Sequence, residues 1–260
     1  MNTPLVTLGV SLKMYFGYQQ TLDWSRAIAG LLREHPQVRN GEIDVFVIPS
    51  FPMLAGVVDI FAGLATVGAQ DVAWADNGAW TGEVSPAVLA EIGCGVVEIG
   101  HAERRRYFAE TDQQIADKTH AAWRNGLTPV LCLGEEQPGT VAEAVAVCRE
   151  QLQAALASSR AAGQSGELIL AYEPQWAIGA AEPASPGYIG EVCQQLRGEG
   201  RRVIYGGSAK PGLLSRLGSQ VDGLFLGRFA HDPKAFASIL DEAAAQCVAQ
   251  HKEPQQWQSA

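Results

Sequence analysis

The sequence predicts one α/β domain, a closed (β/α)8 barrel over residues 1–250, followed by a polar tail over 251–260. Three observations carry this expectation. Short apolar runs of strand type alternate with longer helical stretches eight times along the 260 residues. The runs are apolar throughout instead of at every second residue, as in parallel strands covered on both faces. The chain is 47% hydrophobic, enough for one large core and too much for disorder.

The elements follow in order. Residues 5–10 form a first strand, ending in Ser11-Leu12-Lys13. Residues 21–35 read as a helix with Leu22, Ile28, Leu31 and Leu32 on one stripe. Residues 43–48 are the second strand, 51–62 its helix and 65–69 the third strand. A polar and aromatic loop runs from Gln70 to Val84, and Ser85-Pro86 caps the helix after it. Residues 95–99 are the fourth strand, ending in Gly100-His101. Thr111 and Gln114 spell a capping box for a helix that stops at Asn125-Gly126. Residues 128–133 are the fifth strand, and Thr140 with Glu143 caps a helix to about residue 162. The sixth strand, 168–172, delivers Glu173 at its carboxyl end, and Pro174 stops it there. Ser185-Pro186 opens the next helix. Residues 202–205 and 224–226 are the last strands, ending in Gly206-Gly207-Ser208 and Gly227-Arg228. Asp232-Pro233 caps a final helix to about residue 250.

Composition excludes several classes. Net charge is -9, and no like-charge block is longer than Arg104-Arg105-Arg106, which argues against nucleic acid as a partner. Anionic small molecules require a local positive site to override that field. Five cysteines, Cys94, Cys132, Cys148, Cys193 and Cys247, form no CxxC pair, so neither a disulfide framework nor a zinc motif follows. The N-terminal stretch lacks a basic region and a long apolar run, and Pro49 and Pro52 break the longest apolar region, which points to a cytoplasmic chain without a membrane span.

In such a barrel the chemistry sits at the carboxyl ends of the strands. Those ends collect Lys13, His101, Glu173, Gly206-Gly207-Ser208 and Gly227-Arg228 on one rim. Each has an ordinary reading alone: a solvated lysine, a surface histidine, a salt-bridged glutamate, a simple turn. A carboxylate on a rigid strand end beside a loop that can close is also how a general base is placed.

The runs LKMYF, EIGHAERR, AYEPQWAIG, YGGS and GLFLGR, together with GAQDVAWADNGAWTGEVS and LCLGEE, resemble triosephosphate isomerase, over the chain to about Asp232. The resemblance implies a TIM barrel that moves a proton between adjacent carbons of a small phosphosugar through an enediolate, most simply between glyceraldehyde 3-phosphate and dihydroxyacetone phosphate. Glu173 would be the base, His101 a neutral electrophile polarising the carbonyl, and Lys13 the positive charge at the substrate oxygens. Gly179, Ser208, Gly227 and Arg228 would bind phosphate, with Ser11 at the substrate, and residues 176–185 would be the lid. Glu103 would position the lysine, and Cys132 matches the family's strand-end cysteine, with a small buried apolar residue as its equal alternative. Arg104–Arg106 are expected in structural ion pairs. Thr81 would insert beside a partner's site, making a homodimer through the loop from Gln70 to Val84. Neither metal nor organic cofactor is implied.

Four departures from the family pattern bear on the substrate. Ser11 stands where the family has Asn, Ala102 where it has Ser, Gln175 where the lid hinge is usually apolar, and Arg228 where the phosphate turn has a second Gly. The lid reads AIGAAEPAS in place of AIGTGKTAT. Ser11 leaves room near the carbonyl, and Arg228 brings a five-donor fork to the phosphate end. A four-carbon erythrulose phosphate is therefore a second candidate substrate, against neutral drift with Arg228 paired to a surface carboxylate. Two other classes remain open: a Schiff-base aldolase using Lys13, and a barrel that binds phosphate without catalysis.

Overall fold

The computed structural model describes residues 3–178, 184–198 and 202–252. Eight strands, β1 (Val6–Ser11), β2 (Ile43–Ile48), β3 (Thr66–Ala69), β4 (Val96–Ile99), β5 (Thr128–Leu133), β6 (Ile169–Tyr172), β7 (Arg202–Tyr205) and β8 (Gly223–Leu226), lie in chain order around a closed barrel. All neighbours are parallel, and β8 closes the ring on β1 with Gly9 opposite Phe225. The (β/α)8 expectation is borne out, and every strand lies within a residue of its predicted ends.

Strand pleating explains why the runs are apolar on both faces. Phe46, Ile48, Val96, Val130, Cys132, Ile169, Ala171, Ile204 and Phe225 pack inside the barrel. The alternate residues, among them Val45, Val97, Leu131, Leu170, Val203 and Leu224, face the helix layer. Gly9 sits inside, where a Cβ would stand 2.1 Å from the Phe46 ring and 2.8 Å from that of Phe225. Its missing side chain lets those rings, from the two strands flanking β1, meet at 5.6 Å over it and fill the interior. The floor is packed, so a ligand has space only at the strand ends.

The helices confirm most start signals. Both capping boxes form, Thr111 with Gln114 for α6 (Asp112–Arg124) and Thr140 with Glu143 for α7 (Val141–Ala155). Ser85 and Ser185 cap α4 (Pro86–Glu91) and α9 (Pro186–Leu196) as expected. Others differ in extent. The first helix, α1, runs Tyr18–Glu34 and stops because Pro36 holds His35 extended; Pro36 then opens α2 (Pro36–Arg39). The stretch 51–62 begins as a 3-10 turn and continues as α3 (Leu54–Phe61). The helix read to residue 162 is broken at Leu156 (φ -91°, ψ -2°), leaving α8 (Ala157–Ala161) as a separate turn. An alanine-rich run carries no signal for such a one-residue offset. The short α5 (Ala102–Phe108) follows His101, and α10 (Leu213–Leu217) was too brief to show a period. The last helix, α11, spans Pro233–Lys252, and residues 253–260 of the expected tail lie outside the described residues. No described helix is long and apolar enough to cross a membrane.

Candidate active site

The carboxyl ends of the strands open into one cavity of about 310 Å³, lined by Ser11, Lys13, His101, Glu173, Ser208, Gly227 and Arg228. Barrel closure thus brings together every predicted site residue except Gly179, which lies outside the described residues.

Lys13 follows β1 in a left-handed conformation (φ 49°) that side chains rarely adopt. Ser50 Oγ and Gln70 Nε2 donate to its carbonyl at 2.9 and 2.8 Å, clamping the turn from β2 and β3. The clamp aims Nζ at Glu103 Oε1, 2.6 Å away, so Glu103 does hold the lysine. Burial opposes the lysine charge, but that hydrogen bond and the nearby Glu103, Glu173 and Glu98 carboxylates outweigh it and hold the pKa above its ordinary value. Lys13 is therefore an ammonium at neutral pH, the wrong state for a Schiff-base nucleophile.

His101 is the N-cap of α5, and its Nδ1 accepts the Glu103 backbone N–H at 3.1 Å. That bond leaves the ring proton on Nε2, which faces the cavity. Burial, then the Lys13 charge, lowers the imidazole pKa to about 4, so the ring is neutral across the physiological range. A neutral ring with Nε2–H exposed to a ligand can donate a hydrogen bond to a carbonyl without first losing a charge.

Glu173 closes β6, where its N–H bonds Leu133 O at 2.7 Å. Two glycines make its slot. A Cβ on Gly134 would lie 2.0 Å from Glu173 O, and one on Gly206 would lie 2.6 Å from Glu173 Oε1. Oε2 sits 3.3 Å from His101 Nε2 and accepts no hydrogen bond among the described residues. Burial above all, then the Glu98 charge, holds the carboxyl well above its ordinary pKa, while Lys13 pulls it back. A poorly solvated carboxylate facing a neutral imidazole and an ammonium can take a proton from carbon. Cys132 lies in the same interior, where burial pushes its thiol pKa far up and keeps it a neutral thiol that hydrogen-bonds the Glu173 carboxyl.

Sequence reasoning missed Glu98. It reads as an outlier in an apolar strand, but the pleat of β4 turns it inward beside Val96. Its Oε2 accepts the Ser11 hydroxyl at 2.9 Å, and burial raises its pKa from 4.5 to about 7. The signal was its parity: Glu98 lies two residues from inward Val96 and three before His101.

The arginines divide. Arg104 pairs with Asp71 and Glu110, and Arg105 with Asp112, as expected. Arg106 departs from that expectation: it has no carboxylate partner among the described residues, lies over the Tyr107 ring and lines the cavity. Arg228 is exposed at the cavity edge and likewise has no surface carboxylate partner among the described residues. Of the stretch expected as a lid, residues 179–183 lie outside the described residues; its start is anchored, with Trp176 Nε1 donating to Glu135 Oε1 at 2.9 Å and the hydroxyls of Tyr172 and Tyr188 also reaching Glu135. Among the described residues, no group of three or more His, Cys, Asp or Glu is placed to hold a metal ion.

Comparison with known proteins fits this geometry. The profile of the family described as triosephosphate isomerase matches residues 6–243. A Pectobacterium atrosepticum protein named L-erythrulose-1-phosphate isomerase is 60% identical, over 94% of this chain and 97% of its own length. Proteins of the same name from Rhizobium rhizogenes and Brucella abortus are 38% identical, over 94% and 93% of this chain and 96% and 98% of their own lengths.

Proposed function

Since this chain belongs to the triosephosphate isomerase family and is an isomerase, we propose that its substrate is the four-carbon L-erythrulose 1-phosphate and not a triose phosphate. The observation that carries the reading is the altered carbonyl end of the cavity. Ser11 replaces the family's Asn and hands its hydroxyl to Glu98, 2.9 Å away, leaving space and a carboxyl where the smaller sugar has only hydrogen. The 60% identical relative bearing that substrate in its name supports the same choice.

The residues divide the chemistry as follows. The phosphate rests on the turns at Ser208 and at Gly227-Arg228, whose backbone N–H groups and guanidinium suit a dianion. Glu173 takes the proton from C3, and the electron pair moves into a C2–C3 double bond while charge builds on the C2 oxygen. His101 Nε2–H and the Lys13 ammonium stabilise that charge beside the buried Glu173, where such contacts are worth more than in water. The proton of the C3 hydroxyl passes to the C2 oxygen by way of His101 Nε2, Glu173 returns its proton to C2, and the carbonyl is left at C3. With four carbons the product is a second ketose, erythrulose 4-phosphate; on the triose the same steps join ketose and aldose. Neither metal nor organic cofactor enters these steps. The partner in solution is a second copy of this chain, docked through the loop from Gln70 to Val84. Trp80 of that loop (46% exposed) and Met14 beside Lys13 (91% exposed) support the docking.

Steady-state kinetics on both sugars test the substrate. We expect kcat/KM for L-erythrulose 1-phosphate to exceed that for glyceraldehyde 3-phosphate by at least about tenfold. Efficient turnover of the triose with none of the tetrulose overturns the reading.

A further inference from the structure

The proton transfer described above leaves one buried carboxyl of the cavity unused. Glu98 is 3% exposed, and its Oε1 lies 3.9 Å from His101 Nε2, outside hydrogen-bond range. Among the described residues the Ser11 hydroxyl is the one group that donates to it, onto Oε2. A carboxylate accepts about four hydrogen bonds, so most of its capacity faces the cavity it lines.

This placement is expensive. Val96 and Val130 beside it show that the interior takes apolar side chains readily, and an unpaired buried carboxyl costs stability that an apolar neighbour would not. Its charge also opposes ionisation of Glu173, the group needed as a base. A wall with these costs fits a ligand that brings a polar hydrogen to it. In the closed ring β4 stands opposite β8, whose end carries Gly227-Arg228 at the phosphate side. A phosphosugar seated there extends its far end towards β4, where the Ser11 hydroxyl, reaching in from the end of β1, meets Glu98.

We propose that Glu98, oriented by Ser11, is a specificity-determining residue that accepts a hydrogen bond from the terminal hydroxyl of a four-carbon phosphoketose. The inference rests on the four-carbon reading and adds the group that recognises the fourth carbon. A triose phosphate has no atom there, so it forfeits the contact and leaves the carboxyl unpaired. Ser11 is a positioning residue: its hydroxyl fixes one carboxyl oxygen and leaves the other for the sugar.

Comparing two sugars on two proteins tests this. Wild type and Glu98→Met are assayed with L-erythrulose 1-phosphate and with its 4-deoxy analogue, which keeps the carbon and loses the hydroxyl. Wild type should prefer the hydroxylated sugar by about 10–100-fold in kcat/KM, the range for a hydrogen bond to a charged group. In Glu98→Met that preference should fall to within about threefold. Should the methionine variant not fold, Glu98→Gln keeps the shape and should lose a large part of the preference. Wild type that turns over both sugars equally well, or a Glu98 variant that keeps the full preference, overturns the subsite and leaves the four-carbon reading standing. Wild type with no activity on L-erythrulose 1-phosphate sinks the four-carbon reading itself.

Discussion

Replacing Glu98 by Gln should make the protein more stable, and increasingly so as pH rises. The carboxyl titrates at about 7 in the fold because it is buried, against an ordinary value of 4.5. The folded chain therefore binds the Glu98 proton more tightly than the unfolded chain does. Stability that depends on this proton is fully present below pH 4.5 and is lost as pH rises through 7. At ~1.4 kcal/mol for each pH unit between the two values, the loss is about 3 kcal/mol. Glutamine has nearly the same shape and cannot ionise, so the variant escapes the loss. Relief of Glu173, whose raised pKa owes part of its shift to Glu98, acts in the same direction. His101, with its lowered pKa, slopes the opposite way, but it is common to both proteins and largely cancels in the difference. Urea unfolding of both proteins at fixed concentration, from pH 4.5 to 8, measures that difference. It should grow by about 3 kcal/mol in favour of the variant up to pH 7 and then level off. A difference that stays constant across this range refutes the picture of Glu98 as a buried carboxyl that must ionise in place.

Two further outcomes bear on the chemistry and the assembly. Glu173→Gln should remove solvent deuterium exchange at the substrate carbon by at least about 10²-fold, and retained exchange, read by proton NMR, would deny Glu173 the role of base. Sedimentation velocity should give twice the mass of one chain. Met14→Glu, which puts a charge on a 91% exposed methionine, should shift the population towards monomer, and a wild-type monomer removes the docking loop from the account.

Much of the architecture is legible in the amino-acid order. Strand signals in this chain are local: an apolar run, then Gly, Pro or a polar turn, repeated eight times. The capping boxes at Thr111 and Thr140 are local as well, because a cap spans four residues and depends on nothing beyond them. Errors fell where the cause was not local in that sense. The break at Leu156 and the brief α10 are set by how helices pack on the barrel, and neither leaves a mark in periodicity.

The amino-acid order by itself determined the barrel, the rim and the three groups on it, since Lys13, His101 and Glu173 each stand within two residues of a strand's carboxyl end and parallel strands all end on one side. Only the tertiary structure decided what those groups meet. Ser11 and Glu98 are 87 residues apart, and closure of the ring together with the inward pleat of β4 makes them partners. Ionisation states follow from the same closure: a neutral His101, a charged Lys13 and a reluctant Glu173 are consequences of burial beside one another. Burial and neighbouring charge are properties of a site in space, and no stretch of chain contains them until the strands have closed.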